Sequence, residues 1–201
     1  MIKVIDLVMS LRYALGDMQG TNVSDYELIP LINQAVTMLY GHLSQRYVHA
    51  TIKRVEGLSI DPDAEEDSGS LKEYELPGGF MRIHQAIGEF EGCGRKRVLV
   101  PSSTSPPVEG SYRIIGTTFY APKGIYSLEY YYTPNRAYSL EDVIDAQESM
   151  STWIEQLAVA LHRKNYDLAN VLCSQCEAVM SGREVSHFEN TTPTQVLGGR
   201  I

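Results

Sequence analysis

The chain has 201 residues, 43% hydrophobic and 21% charged, with a formal net charge of −8. That length buries one sizeable core or at most two small ones, no apolar run reaches a membrane span, and the acidic balance argues against a surface made to wrap nucleic acid, which needs clustered Lys and Arg. Three cysteines, an odd number, argue against a disulfide framework and for a reducing compartment.

The opening MIKVIDLVMSLRYALGD carries apolar residues in a helical rhythm broken by Lys3, Asp6 and Arg12, without a small-residue cleavage site. It reads as a helix over 2–15, not a signal peptide. Val4, Val8, Leu11 and Leu15 share a face, and Gly16 supplies a stop. The short polar linker DMQGTN folds this helix back on the next, over 24–47.

Ser24 and Glu27 spell a capping box there, with Val23 and Leu28 as a hydrophobic staple. Leu28, Ile32, Ala35, Leu39 and Leu43 form one apolar stripe, and Ile29, Val36, Tyr40 and Tyr47 a second beside it. A face that wide needs partners on more than one side, so this is a core helix. Pro30, beyond the first turn, is expected to kink it.

VHATIKRVEGLSI then reads as a strand, and the acidic DPDAEEDSGS as a mobile loop. KEYELPGGFMRIHQAIGEF reads as strand, turn, strand about Pro77-Gly78-Gly79. Further strands are expected over 97–100, 112–119 and 125–132. Together, residues 48–133 make a small antiparallel β-module. Helices return over 140–163, with Ser139 and Asp142 as a capping signature, and over 166–181, where Leu168, Val171, Leu172, Cys176 and Val179 form the face and Gly182 the stop. The expected fold is α+β: a mainly α-helical bundle within one domain over 1–182, an inserted β-module, and an extended C-terminal arm over 183–201.

No constellation supports catalysis, a cofactor or a metal. Cys173-Ser-Gln-Cys176 lacks a second ligand pair and suits core filling on a helix. His42, His49, His84, His162 and His187 are scattered over separate elements. The run 61–67 lacks calcium-loop spacing, and Gly92-Cys-Gly-Arg-Lys-Arg97 reads as a hairpin tip. Tyr130, Tyr131 and Tyr132 point alternately to the two sides of a strand. Either one side is exposed as a candidate protein interface or both are packed. In the arm, Phe188, Val196, Leu197, Arg200 and Ile201 are candidate partner-binding residues, because sparse apolar anchors on a polar segment suit docking on another protein.

The helix ending LRYALGD, SDYELIPLINQAVTMLYGHL with its central Asn33-Gln34-Ala35, YELPGGFMRIHQAI, YRIIGTTFYAPKGIYSLEYYYTP and the two last helices together resemble the head-to-tail adaptor (connector) proteins of tailed bacteriophages. The resemblance covers most of residues 1–182. It implies a structural virion protein that forms a ring, typically dodecameric, beneath the portal. Such a ring sits in the neck after assembly in the host cytoplasm, extends the DNA channel and offers a docking surface to a tail or nozzle protein. It also implies an arm that reaches the portal protein, and genomic DNA passing without sequence-specific binding. Two other readings are a non-catalytic regulatory binding module acting as monomer or dimer, and a small enzyme whose site assembles from residues far apart in sequence.

Overall fold

The computed structural model describes residues 1–46, 48–63, 71–90 and 95–182. Four α-helices carry the helical part: α1 (Val4–Leu15), α2 (Asp25–Gln45), α3 (Ser151–His162) and α4 (Tyr166–Met180). Ten strands form three sheets: β1 (Ile2–Lys3), β2 (Ile52–Ile60), β3 (Tyr74–Glu75), β4 (Phe80–Phe90), β5 (Lys96–Val98), β6 (Val100–Pro101), β7 (Ser111–Ile115), β8 (Thr118–Tyr120), β9 (Gly124–Tyr132) and β10 (Val143–Ile144).

The expected mainly helical bundle is therefore corrected: about 39% of the structure is helix and 28% strand, so the sheets are a second half of the fold, not a small addition. One sheet has the order β2-β9-β4-β5, another β3-β8-β7-β6, and β1 pairs with β10. The β6–β7 pair is parallel, which departs from the expected all-antiparallel module.

Local chemistry sets the ends of α1 and α2. Gly16 closes α1 in the left-handed region, φ +73°, and the Asp17 N–H returns to the Arg12 carbonyl at 2.8 Å. At the start of α2, the Ser24 N–H donates to Glu27 Oε2 at 2.9 Å. The linker between them is ordered by Asp17, whose carboxylate accepts from the N–H groups of Thr21, Asn22 and Val23. Arg12 reaches the Val23 carbonyl at 2.9 Å and Asp25 at 2.5 Å, clasping the two helices. Burial alone would raise the Asp17 carboxyl, but the N–H groups of Val23, Asn22 and Thr21 outweigh it and hold the group below the usual carboxylate value.

Both stripes of α2 are buried as far as the described residues go, with Leu28, Ile32, Ala35, Leu39, Tyr40 and Leu43 fully enclosed. Tyr47 lies outside the described residues. The helix continues as one element through Pro30.

The segment after β9 differs from the helix expected over 140–163. The Asp142 carboxylate accepts from the N–H groups of Tyr138 and Ser139, making a turn instead of a helix start. Val143 and Ile144 then pair with Lys3 and Ile2, so the first residues of the chain are a strand as well. β-branched residues fit that ladder, and helix α3 is delayed to Ser151. Ile144, Met150, Ile154 and Leu157 are buried all the same.

Pro77-Gly78-Gly79 turns the chain between sheets, not within a hairpin: β3 pairs with β8, whereas β4 pairs with β9 and β5. Gly79 is required there. Its φ is +90°, and a Cβ would lie 2.1 Å from the Thr133 carbonyl oxygen. The strand expected over 112–119 is a hairpin of β7 and β8 turning at Gly116, φ +61°. The large sheets meet through Phe119 of β8 against Tyr126 of β9, ring centroids 6.1 Å apart. Gly88 leaves room for this contact, since a Cβ there would meet the Tyr126 ring at 2.7 Å.

Candidate functional site

The exposed-tyrosine alternative is overturned. Tyr130, Tyr131 and Tyr132 are 2%, 1% and 7% exposed. Alternation sends Tyr130 and Tyr132 to one side of β9, where they meet Phe80 and Tyr40 at 5.9 and 5.6 Å. Tyr131 faces the other side and is covered there as well. Its hydroxyl is 3.2 Å from His84 Nδ1, and the Arg82 guanidinium lies over its ring at 4.7 Å. Arg82 also donates to the Ser44 carbonyl in the last turn of α2, which ties this face of the sheet to the helix. These tyrosines are the seam between sheet and helices. The arm residues Phe188, Val196, Leu197, Arg200 and Ile201 lie outside the described residues, as do 64–70, 91–94 and His187.

The cysteine pair is part of the core. Cys173 and Cys176 are buried, and Cys176 Sγ sits 3.9 Å from Met150 Sδ. Burial pushes their thiols up to about 11 and about 12, the second also raised by its neighbour, so neither is a ready thiolate. Among the described residues no group of three or more His, Cys, Asp or Glu could hold a metal ion. Nor is any described helix long and apolar enough to cross a membrane.

What the helices do present is uncovered apolar surface. A groove of about 700 Å³ runs along the outer side of α2, between that helix and residues 136–138. Tyr26, Pro30, Gln34 and Met38 line it from the helix, and Arg136 and Tyr138 from the facing segment. Tyr26 and Tyr138 are 91% and 82% exposed. Asn33 holds the groove in shape: its amide N–H donates to the Ala137 carbonyl at 2.7 Å, and its oxygen accepts from the Ala137 N–H at 2.8 Å. One side chain thus pairs with a backbone unit as a neighbouring strand would. Pro30 has no N–H to return to the Tyr26 carbonyl.

Two further surfaces lie on the flanks. Helices α1 and α4 each pack on both α2 and α3 but hardly meet one another. Helix α1 meets the start of α2 through Arg12 and Asp25, and α4 meets its end through Glu177 and His42, so the two flanks are separate surfaces of the helical body. On α1, Ile5, Met9 and Tyr13 recur every four residues on the solvent side. On α4, Leu168, Val171 and Val179 form a stripe beside the core face made by Ala169, Leu172, Cys173 and Cys176. Leu168, Val171 and Val179 were expected inside. They are exposed because α4 is covered from one side only. Exposure on the two flanks runs from 43% at Leu168 to 77% at Tyr13.

Sequence pattern did not reveal Tyr13, Tyr26 or Tyr138 as surface features. Tyr13 falls opposite the apolar stripe of α1 and Tyr26 beside the stripes of α2, the one available signal, and Tyr138 sits in a connection without periodicity. Compared with protein-family models and with curated proteins, the chain matches none.

Proposed function

We propose that the protein is a structural adaptor of a tailed bacteriophage: copies form a ring under the portal, leave an open channel for DNA, and give the tail or nozzle protein its docking surface. The observation that carries this reading is the pair of unlike apolar flanks, Ile5/Met9/Tyr13 on α1 and Leu168/Val171/Val179 on α4, on separate surfaces of one helical body. A ring needs heterologous contacts, in which one face of a subunit meets a different face of its neighbour. The sequence resemblance described above supports the same assignment. The formal net charge of −8 suits a channel wall along which DNA phosphates slide instead of adhering.

In this reading the arm over 183–201, through Phe188, Val196, Leu197, Arg200 and Ile201, contacts the portal or a neighbouring copy. The groove along α2 remains for the tail side. The test is electron microscopy of the protein mixed with the portal of its own genome. A ring of copies on one face of the portal is the expected image. A chain ending at Gly182 folds with nearly unchanged thermal stability and fails to join that ring. A protein that ignores the portal and stays monomeric or dimeric is a regulatory binding module instead.

A further inference from the structure

The flanks differ in shape and charge as well as in sequence. Beside the α1 stripe is a pocket of about 270 Å³, whose apolar wall is Ile5, Val8, Met9, Met18 and Leu140 and whose polar wall is the Arg12–Asp25 pair with Gln19 and Gly20. That volume takes a branched aliphatic side chain. The α4 stripe is a convex row of such side chains, Leu168, Val171 and Val179. Arg163 and Lys164, exposed just ahead of that stripe, make no ion pair among the described residues. Asp167 is the one acid in the first turn of α4. The α1 flank has exposed Asp6, Glu141 next to Leu140, and half-exposed Asp25. Its cations are Lys3 and the amine of Met1, while Arg12 is already engaged by Asp17 and Asp25.

From this complementarity we propose that the α4 stripe of one copy seats on the α1 flank of a second, with Val171 entering the pocket and Arg163 and Lys164 facing its acidic border. The contact is head-to-tail, because the two surfaces are different parts of the chain. It rests on the adaptor reading for its purpose, and it specifies which residues join neighbouring subunits. The exposed apolar row and the apolar wall of the pocket leave water on binding, and the charges fix direction and register.

Thiol cross-linking of the full chain tests this without the portal. In a Cys93→Ser background, Met9→Cys and Val171→Cys are made separately and together, then treated with bismaleimidoethane at high protein concentration. Cys173 and Cys176 are buried and stay silent while the protein is folded. Neither single variant should give covalent dimers by itself. Their equimolar mixture should give a dimer, and the double variant a ladder that Leu168→Arg reduces at least tenfold. All three sites are solvent-exposed, so folding is retained. No dimer in the mixture overturns the proposal, as do dimers within either single variant, which would mean a two-fold contact. A ladder from a protein that ignores the portal upholds this contact and defeats the adaptor reading. A portal-bound ring without cross-links does the reverse.

Discussion

Replacing Asn33 tests whether one side chain holds the groove wall in place. Asn33→Ala removes the two bonds to the Ala137 backbone, 2.7 and 2.8 Å long and partly buried. At ~0.5–1.5 kcal/mol for each bond, the loss is about 1–3 kcal/mol. With a urea m-value of roughly 2 kcal/mol/M, the denaturation midpoint falls by about 0.5–1.5 M. Asn33→Asp is a sharper variant, because it keeps the acceptor for the Ala137 N–H and aims a carboxylate at the Ala137 carbonyl. Only the protonated acid restores the missing donor, so its folded-state pKa rises above the unfolded value of ~3.9. The sign follows: Asn33→Asp is least stable above the folded-state pKa and recovers as the pH falls below it. Hydrogen exchange at the Ala137 amide gives the local readout, which should quicken about tenfold or more in Asn33→Ala. A stability within ~0.3 kcal/mol of wild type with unchanged Ala137 exchange would refute the reasoning.

Leu39→Ala removes three buried carbons from the centre of α2, where Leu39 is fully enclosed; the transfer and cavity contributions together destabilise by about 2–5 kcal/mol, measured by urea denaturation. Asp17 has a folded-state pKa below its ordinary value, so its contribution is present above that value and lost as the pH falls through the lower one. Asp17→Asn should accordingly flatten the acid limb of a stability–pH curve, and an unchanged limb counts against the Asp17 turn as its source. Cys173 and Cys176, pushed up to about 11 and about 12, should resist Ellman's reagent at pH 8 in the folded protein and react promptly in denaturant. Rapid reaction without unfolding would place the pair outside the core.

What could be read from sequence was what neighbours along the chain decide. The cap at Ser24, the stripes of α2 and the stop at Gly16 all depend on residues a few positions apart. Ser139 and Asp142 looked like a helix start for the same local reason, yet their partners are a turn and then a strand at the far end of the chain. That pairing has no local signature. Tyr130 to Tyr132 show the same limit: period-two alternation says which rings share a side, and only the fold says that Tyr40 covers one side while Arg82 and His84 cover the other. Leu168, Val171 and Val179 carry helical periodicity like any core stripe. Their exposure follows from where α4 docks, so the surface that matters most for the proposed ring was hidden in a pattern that read as interior.

The most direct measurement is the mass of the complex formed with the portal of the same genome, taken by native mass spectrometry alongside electron microscopy. The account predicts that the portal gains many copies of the 22.5 kDa chain in one fixed number, arranged as a single closed ring. A portal that gains no mass, or scattered single copies without a ring, would contradict it.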